Sequence, residues 1–108
     1  MHAVAMRNEL IDAHPWLPEA VFIAYSRAKQ LRYETMRMEW LLGTLPWFGQ
    51  ELDDTRALMG ENFWPYGVEA NEKTLVALFQ YSYEQGLAKK RLTIEELFHP
   101  STLDLGKR

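Results

Sequence analysis

Phe63-Trp64-Pro65-Tyr66-Gly67-Val68-Glu69-Ala70-Asn71 is the stretch on which the reading of this chain turns. Aromatic residues flank one proline, and a glycine, an acid and an asparagine follow. Proline pushes the residue before it out of the helical region, so Trp64 is expected to be extended. Gly67 can adopt a positive φ that its neighbours resist. The stretch separates a helix expected to close at Gly60 from one expected over residues 71–85, with Asn71 as its cap.

Composition limits what surrounds this stretch. A chain of 108 residues suggests one domain, and 47% hydrophobic residues permit a core. A domain of this size buries roughly 60–70% of its unfolded surface, which allows folding without a metal or a disulfide. There are no cysteines, which excludes disulfides and thiolate metal sites and makes a cytoplasmic location the simpler expectation. A net charge of −3 and a pI near 5.6 argue against nucleic acid or an anionic membrane as partner. No apolar run approaches the roughly 20 residues of a membrane span. The first residues lack the basic-then-apolar order of a signal peptide.

Working back from the aromatic stretch, Thr44 and Pro46 suit the start of the preceding helix. Phe48, Leu52, Thr55 and Met59 form its expected inner stripe. Before it, Val21, Ala24, Ala28, Leu31, Thr35, Met38 and Leu42 recur at three- and four-residue spacing. That pattern predicts a long amphipathic helix beginning at His14-Pro15 and ending at Gly43, with Lys29 and Arg32 mostly off the stripe. Residues 8–14 read as a transition with room for a helical turn. Residues 2–7 suit a short strand or the start of a helix; the strand is favoured, although it has no obvious partner here. Working forward, Leu75, Leu78, Phe79 and Ser82 are expected to face inward, and Gly86 to stop the helix. Thr93-Ile94-Glu95-Glu96 is a capping box, and Leu92 with Leu97 supplies the matching staple. Pro100 is expected to end that helix, and residues 101–108 read as a loose tail.

Few residues suggest chemistry. Phe63, Trp64 and Tyr66 can line a pocket for a flat ligand, although aromatic residues more often serve as core anchors. Glu69 suits either acid–base work or an N–H cap. Asn71 is a cap first and a ligand contact second. His14 and His99 each precede a proline at a helix boundary and read as structural, and His2 reads as part of a terminus. No histidine pair has metal-ligand spacing. The chain carries no nucleophile elbow and no glycine-rich phosphate loop, and no cofactor is expected. Lys89-Lys90-Arg91 is too short for nucleic acid and reads as a solvated turn.

The run from Phe63 to Glu69, then Asn71, Thr74-Leu75 and Tyr81-Ser82-Tyr83-Glu84-Gln85-Gly86-Leu87, resembles the C-terminal part of the 4,5-dihydroxyphthalate decarboxylase family. Met1-His2 looks like the end of that family's Pro-Ile-Met-His segment, and His14-Pro15-Trp16 like the start of its next helix. Leu92 to Pro100 looks like its ending. The family resembles type 2 periplasmic binding proteins, which implies two α/β lobes around a cleft. This chain would then supply a single C-terminal segment over residues 1–108. Residues 1–8 would form a crossover strand, 15–100 a region of about four helices and 101–108 a tail. The fold class expected is mainly α with one short N-terminal strand. The chain departs from the family where Glu72 and Lys73 follow Asn71, since the family tends to place an arginine there.

The resemblance implies a carboxy-lyase acting on a small aromatic carboxylate, inactive as an isolated piece. It implies His2 as proton donor, with Trp64, Tyr66, Glu69 and Asn71 binding substrate. An oligomer, or a partner supplying the missing N-terminal lobe, is expected. Two alternatives accompany this reading: a segment of a non-catalytic small-ligand binding protein, and a truncated subunit that needs a partner.

Overall fold

Helices carry the fold. The computed structural model describes residues 2–39 and 45–106. Its α-helices are α1 (Asn8–Ala13), α2 (Leu17–Glu39), α3 (Phe48–Met59), α4 (Val68–Glu84) and α5 (Ile94–Leu97), and a 3-10 turn follows at Pro100–Thr102. None of these helices is long and apolar enough to cross a membrane.

The expected N-terminal strand is absent. Residues 2–7 belong to no sheet, and no β-strand occurs among the described residues. A strand is stable only when a neighbour takes up its backbone donors and acceptors, and among the described residues no neighbouring strand does so. Val4 is exposed, so the run buries little that would hold it in place. The transition over residues 8–14 is instead a full short helix, α1. Arg7 serves as its extended N-cap without a side-chain bond.

The chain divides into two compact units. One comprises residues 1–23 and 66–108, the other residues 24–65. In the first unit the core is one face of α4. Val68, Leu75 and Phe79 are buried, and Leu92, Ile94, Phe98 and Leu103 pack against them. Steps of seven and four residues put the three buried side chains on one helical stripe. Burial of Val68 draws the helix start three residues earlier than Asn71. Gly67 becomes the N-cap, at φ 102°. Asn71 is therefore no cap. Its side-chain amide donates back to the Gly67 carbonyl at 2.9 Å. Leu78, expected inside, is exposed.

The far end of α4 follows the sequence closely. Gly86 has φ +73°. The Leu87 N–H donates to the Ser82 carbonyl and the Gly86 N–H to that of Tyr83. These two bonds make a Schellman motif, which needs a left-handed residue at that position. The capping box of α5 is also present, with the Glu96 N–H donating to the Thr93 side chain and the Thr93 N–H to Glu96. The staple is one-sided: Leu92 packs on the core, while Leu97 is exposed. α5 stops at Leu97, and Pro100 opens the 3-10 turn.

The tail is packed. Leu103 lies on the core. Gly106 approaches Gly67 so closely that a Cβ built on Gly67 would stand 2.4 Å from the Leu105 carbonyl oxygen, and one built on Gly106 would stand 2.7 Å from that of Tyr66. Both glycines have φ +102°.

In the second unit Leu52 of α3 is buried, and Phe48 and Thr55 are half-buried, whereas Met59 is exposed. Pro46 lies in the turn before α3, and Gly60 closes the helix at φ 84° as expected. The stripe predicted to bury α2 does not. Leu31 is 55% exposed and Met38 70%, and Ala24, Ala28 and Thr35 are exposed with them. Ser26, Lys29, Tyr33 and Met36 are half-buried instead. Lys29 and Tyr33 are drawn in because they bond the loop after α3. The expected stop at Gly43, the Thr44 cap and the Leu42 position lie outside the described residues.

Candidate functional site

Lys29 and Tyr33 stand four residues apart on α2, so their side chains share one face. Between them they hold three consecutive loop residues. The Lys29 ammonium donates to Asn62 Oδ1 at 2.8 Å and to the Trp64 carbonyl at 3.0 Å. The Trp64 N–H donates to the Tyr33 hydroxyl at 3.0 Å. The Tyr33 ring stacks on Phe63, with centroids 4.8 Å apart and planes 21° apart. Lys29 Nζ also lies 5.7 Å from the Tyr33 ring centroid, within reach of a cation–π attraction. Burial holds the Lys29 pKa below its ordinary value, because a less solvated site disfavours the ammonium. Held in this way, Phe63 is half-buried, and the Trp64 indole remains 63% exposed.

In the other unit, Tyr66 and Gly67 lead into α4. Tyr66 is half-buried, and its carbonyl faces Gly106. Glu69 is exposed in the first turn of α4, where a carboxylate favours the helix dipole. Asn71 is half-buried and tied to Gly67. His2 is exposed in the extended N-terminal segment. Of the five residues singled out, Tyr66, Glu69, Asn71 and His2 thus belong to one unit and Trp64 to the other.

The remaining histidines lie at helix boundaries, His14 after α1 and His99 before the 3-10 turn. His14 lies 6.0 Å from the Trp16 ring at a tilt of 58°. His99 caps the 3-10 turn, where its Nδ1 accepts the Ser101 N–H at 3.3 Å and lies 2.9 Å from the Ser101 hydroxyl. Among the described residues no three His, Asp or Glu side chains gather into a metal-binding group.

Among the described residues two shallow cavities stand out, and neither is lined by His2, Trp64, Tyr66, Glu69 or Asn71. One, of about 300 Å³, lies between Val76 and Phe79 of α4 and the segment from Arg91 to Glu95. The other, of about 240 Å³, is lined by Gln30, Tyr33, Glu34, Arg56 and Glu61. There Arg56 Nε lies 3.3 Å from a Glu61 carboxylate oxygen, an ion pair without a hydrogen bond.

Lys29 and Tyr33 are the residues that sequence reading passed over. Their signal was a second set of three- and four-residue steps, through Ser26, Lys29, Tyr33 and Met36. The more apolar stripe on the opposite side of the helix outweighed it.

No family model matches the chain. It is 33% identical over 105 residues to a 4,5-dihydroxyphthalate decarboxylase of Comamonas testosteroni, a match covering 96% of this chain. The chain spans 32% of the length of that relative. The resemblance carried by the aromatic stretch and its flanking motifs therefore extends over nearly the whole of this chain, as similarity to part of a 4,5-dihydroxyphthalate decarboxylase.

Proposed function

We propose that this chain works as the C-terminal portion of a decarboxylase-like protein acting on a small aromatic carboxylic acid. The observation that carries the reading is the 33% identity to a 4,5-dihydroxyphthalate decarboxylase across 105 residues. The exposed stripe of α2 supports a longer working protein. Its regular spacing suits a covering element, which further chain of the two-lobed, periplasmic-binding-protein-like kind provides.

Loss of CO₂ from an aryl carboxylate needs a sink for the electrons of the breaking bond. A ring activated by a hydroxyl para to the carboxylate provides one once it is protonated. A proton adds to the ring carbon that bears the carboxylate, and the ring becomes dienone-like. The carbon–carboxylate bond then breaks, CO₂ leaves, and its electron pair restores the aromatic ring. The net change is one proton taken up and one CO₂ released. His2 is the proton donor in this reading, since histidine titrates near neutral pH. Trp64 and Tyr66 contact the ring, and Glu69 or Asn71 orients a hydroxyl. The retained carboxylate needs N–H or cationic donors.

The test is a titration of the ¹⁵N-labelled chain with 4,5-dihydroxyphthalate, together with product analysis. Binding is expected to shift the Trp64 indole and Asn71 amide signals. The isolated chain is expected to form no 3,4-dihydroxybenzoate, and the longer protein to form it. Absence both of shifts in the chain and of product from the longer protein would refute the reading. Product from the longer protein at an unchanged rate after His2→Gln would remove the proton-donor role alone.

A further inference from the structure

The loop from Asn62 to Trp64 is held from one side and open on the other. Both backbone polar groups of Trp64 are fixed by side chains one helical turn apart, the N–H by Tyr33 and the carbonyl by Lys29. Asn62 and Phe63 are fixed by the same two residues. Here Phe63 takes the packing position on Tyr33, and the indole of Trp64 is left 63% exposed.

We propose that Lys29 and Tyr33 are positioning residues that fix Trp64 as a stacking contact for the flat ring of an aromatic carboxylate. The assignment rests on the ligand reading given above and adds two residues to it. Its physical content is pre-organisation. A rigid aromatic side chain held in its bound position loses little freedom when a ring stacks on it. The two holders act on different backbone groups, so each can be removed singly.

The experiment uses this chain with Tyr33→Phe, Lys29→Met and Trp64→Ala. Tyr33→Phe keeps the ring that stacks on Phe63 and removes the hydroxyl that accepts the Trp64 N–H. Lys29→Met keeps an unbranched side chain and removes the ammonium. Amide hydrogen exchange is read at Trp64, with buried Leu52 of α3 as the internal control. Tyr33→Phe is expected to speed Trp64 exchange about 3- to 10-fold, the range of one net hydrogen bond, and to leave Leu52 unchanged. Affinity for 4,5-dihydroxyphthalate is expected to fall by a similar factor in Tyr33→Phe and Lys29→Met, and adding either to Trp64→Ala is expected to lower it no further than Trp64→Ala alone. Unchanged exchange at Trp64 overturns the assignment, and so does faster exchange with unchanged affinity. An equal rise at Leu52 overturns it too, since a general loss of structure then accounts for the effect. Failure of the unmodified chain to bind overturns the ligand reading and this assignment together. Binding by the unmodified chain that neither Tyr33→Phe nor Lys29→Met weakens overturns this assignment alone.

Discussion

Replacing Gly67 by alanine should destabilise this protein more than its single methyl group suggests. Gly67 has φ 102° and ψ 161°, a region that is nearly closed to residues with a Cβ. Backbone strain there costs about 1–3 kcal/mol. The new Cβ would also stand 2.4 Å from the Leu105 carbonyl oxygen, about 1 Å inside the 3.4 Å at which ordinary contact begins. Both partners in this clash are main chain, so no side-chain rotation relieves it. Overpacking of this kind costs about 1–3 kcal/mol. The two costs come to about 2–6 kcal/mol, against a total stability of about 5–15 kcal/mol for a small domain. The buried cluster on α4 is small, so the total lies toward the low end of this range. Gly106→Ala meets the same obstruction from the other side, at 2.7 Å from the Tyr66 carbonyl oxygen. Once either alanine has displaced the tail, the second has little left to disturb, so the double variant should cost less than the sum of the singles. Gly49→Ala in α3 is the control. Nothing lies within 4 Å of its Cβ position, so alanine there should add about 0.5–1 kcal/mol through helix propensity. Urea unfolding followed by circular dichroism reads the four variants against the parent. A Gly67→Ala midpoint at or above that of the parent, with the tail still protected, would refute the backbone-packing argument.

Three further outcomes follow from the geometry. Leu75→Ala should lower stability by about 2–4 kcal/mol, and Leu78→Ala, on the exposed side of α4, by less than about 1 kcal/mol; equal urea midpoints would place the buried face wrongly. The hydrogen bond from Lys90, then the Thr93 N–H, holds the Glu96 carboxyl below its ordinary 4.5. A lowered folded value means that the capping contribution is present above the unfolded carboxylate value and is lost as pH falls through the folded one. Glu96→Gln should remove that acid dependence, read from the Thr93 amide shift between neutral and acid pH. Burial lowers the Lys29 pKa, so between its folded value and 10.5 the unfolded chain holds the extra proton. The Lys29 contribution to stability therefore rises with pH across that window, and a Lys29 ¹³Cε titration midpoint at or above 10.5 would contradict it.

The parts of this fold legible in the sequence were those fixed by local chemistry. Gly60, Gly86 and the Thr93–Glu96 box mark helix ends because each supplies a backbone angle or a bond that the terminus requires. The parts that were not legible depended on contacts distant in sequence. Residues 2–7 have the composition of a strand, but a strand is a property of two segments. Gly106 carries no local sign of its role, which exists only because Gly67 comes within reach of it. Asn71 looks like a cap until Val68 is buried and moves the helix start. The aromatic stretch was recognised, yet the two residues that hold it lay off the stripe that periodicity selected.

α2 shows why periodicity selected wrongly. A three- and four-residue repeat of apolar side chains reports that a helix face is suited to burial, not what buries it. Within residues 24–65 the short α3 and its loop meet the other face, because Lys29 and Tyr33 form directed bonds to Asn62 and Trp64 that the apolar stripe of Ala24, Ala28 and Leu31 has no atoms to make. Hydrogen bonds require particular partners at short range, whereas apolar burial accepts any surface of suitable shape. A segment of 42 residues that must satisfy both has too little chain to cover two sides of one helix. The exposed stripe and the held Trp64 are thus two consequences of one choice of face, and they lie on different sides of α2 for that reason.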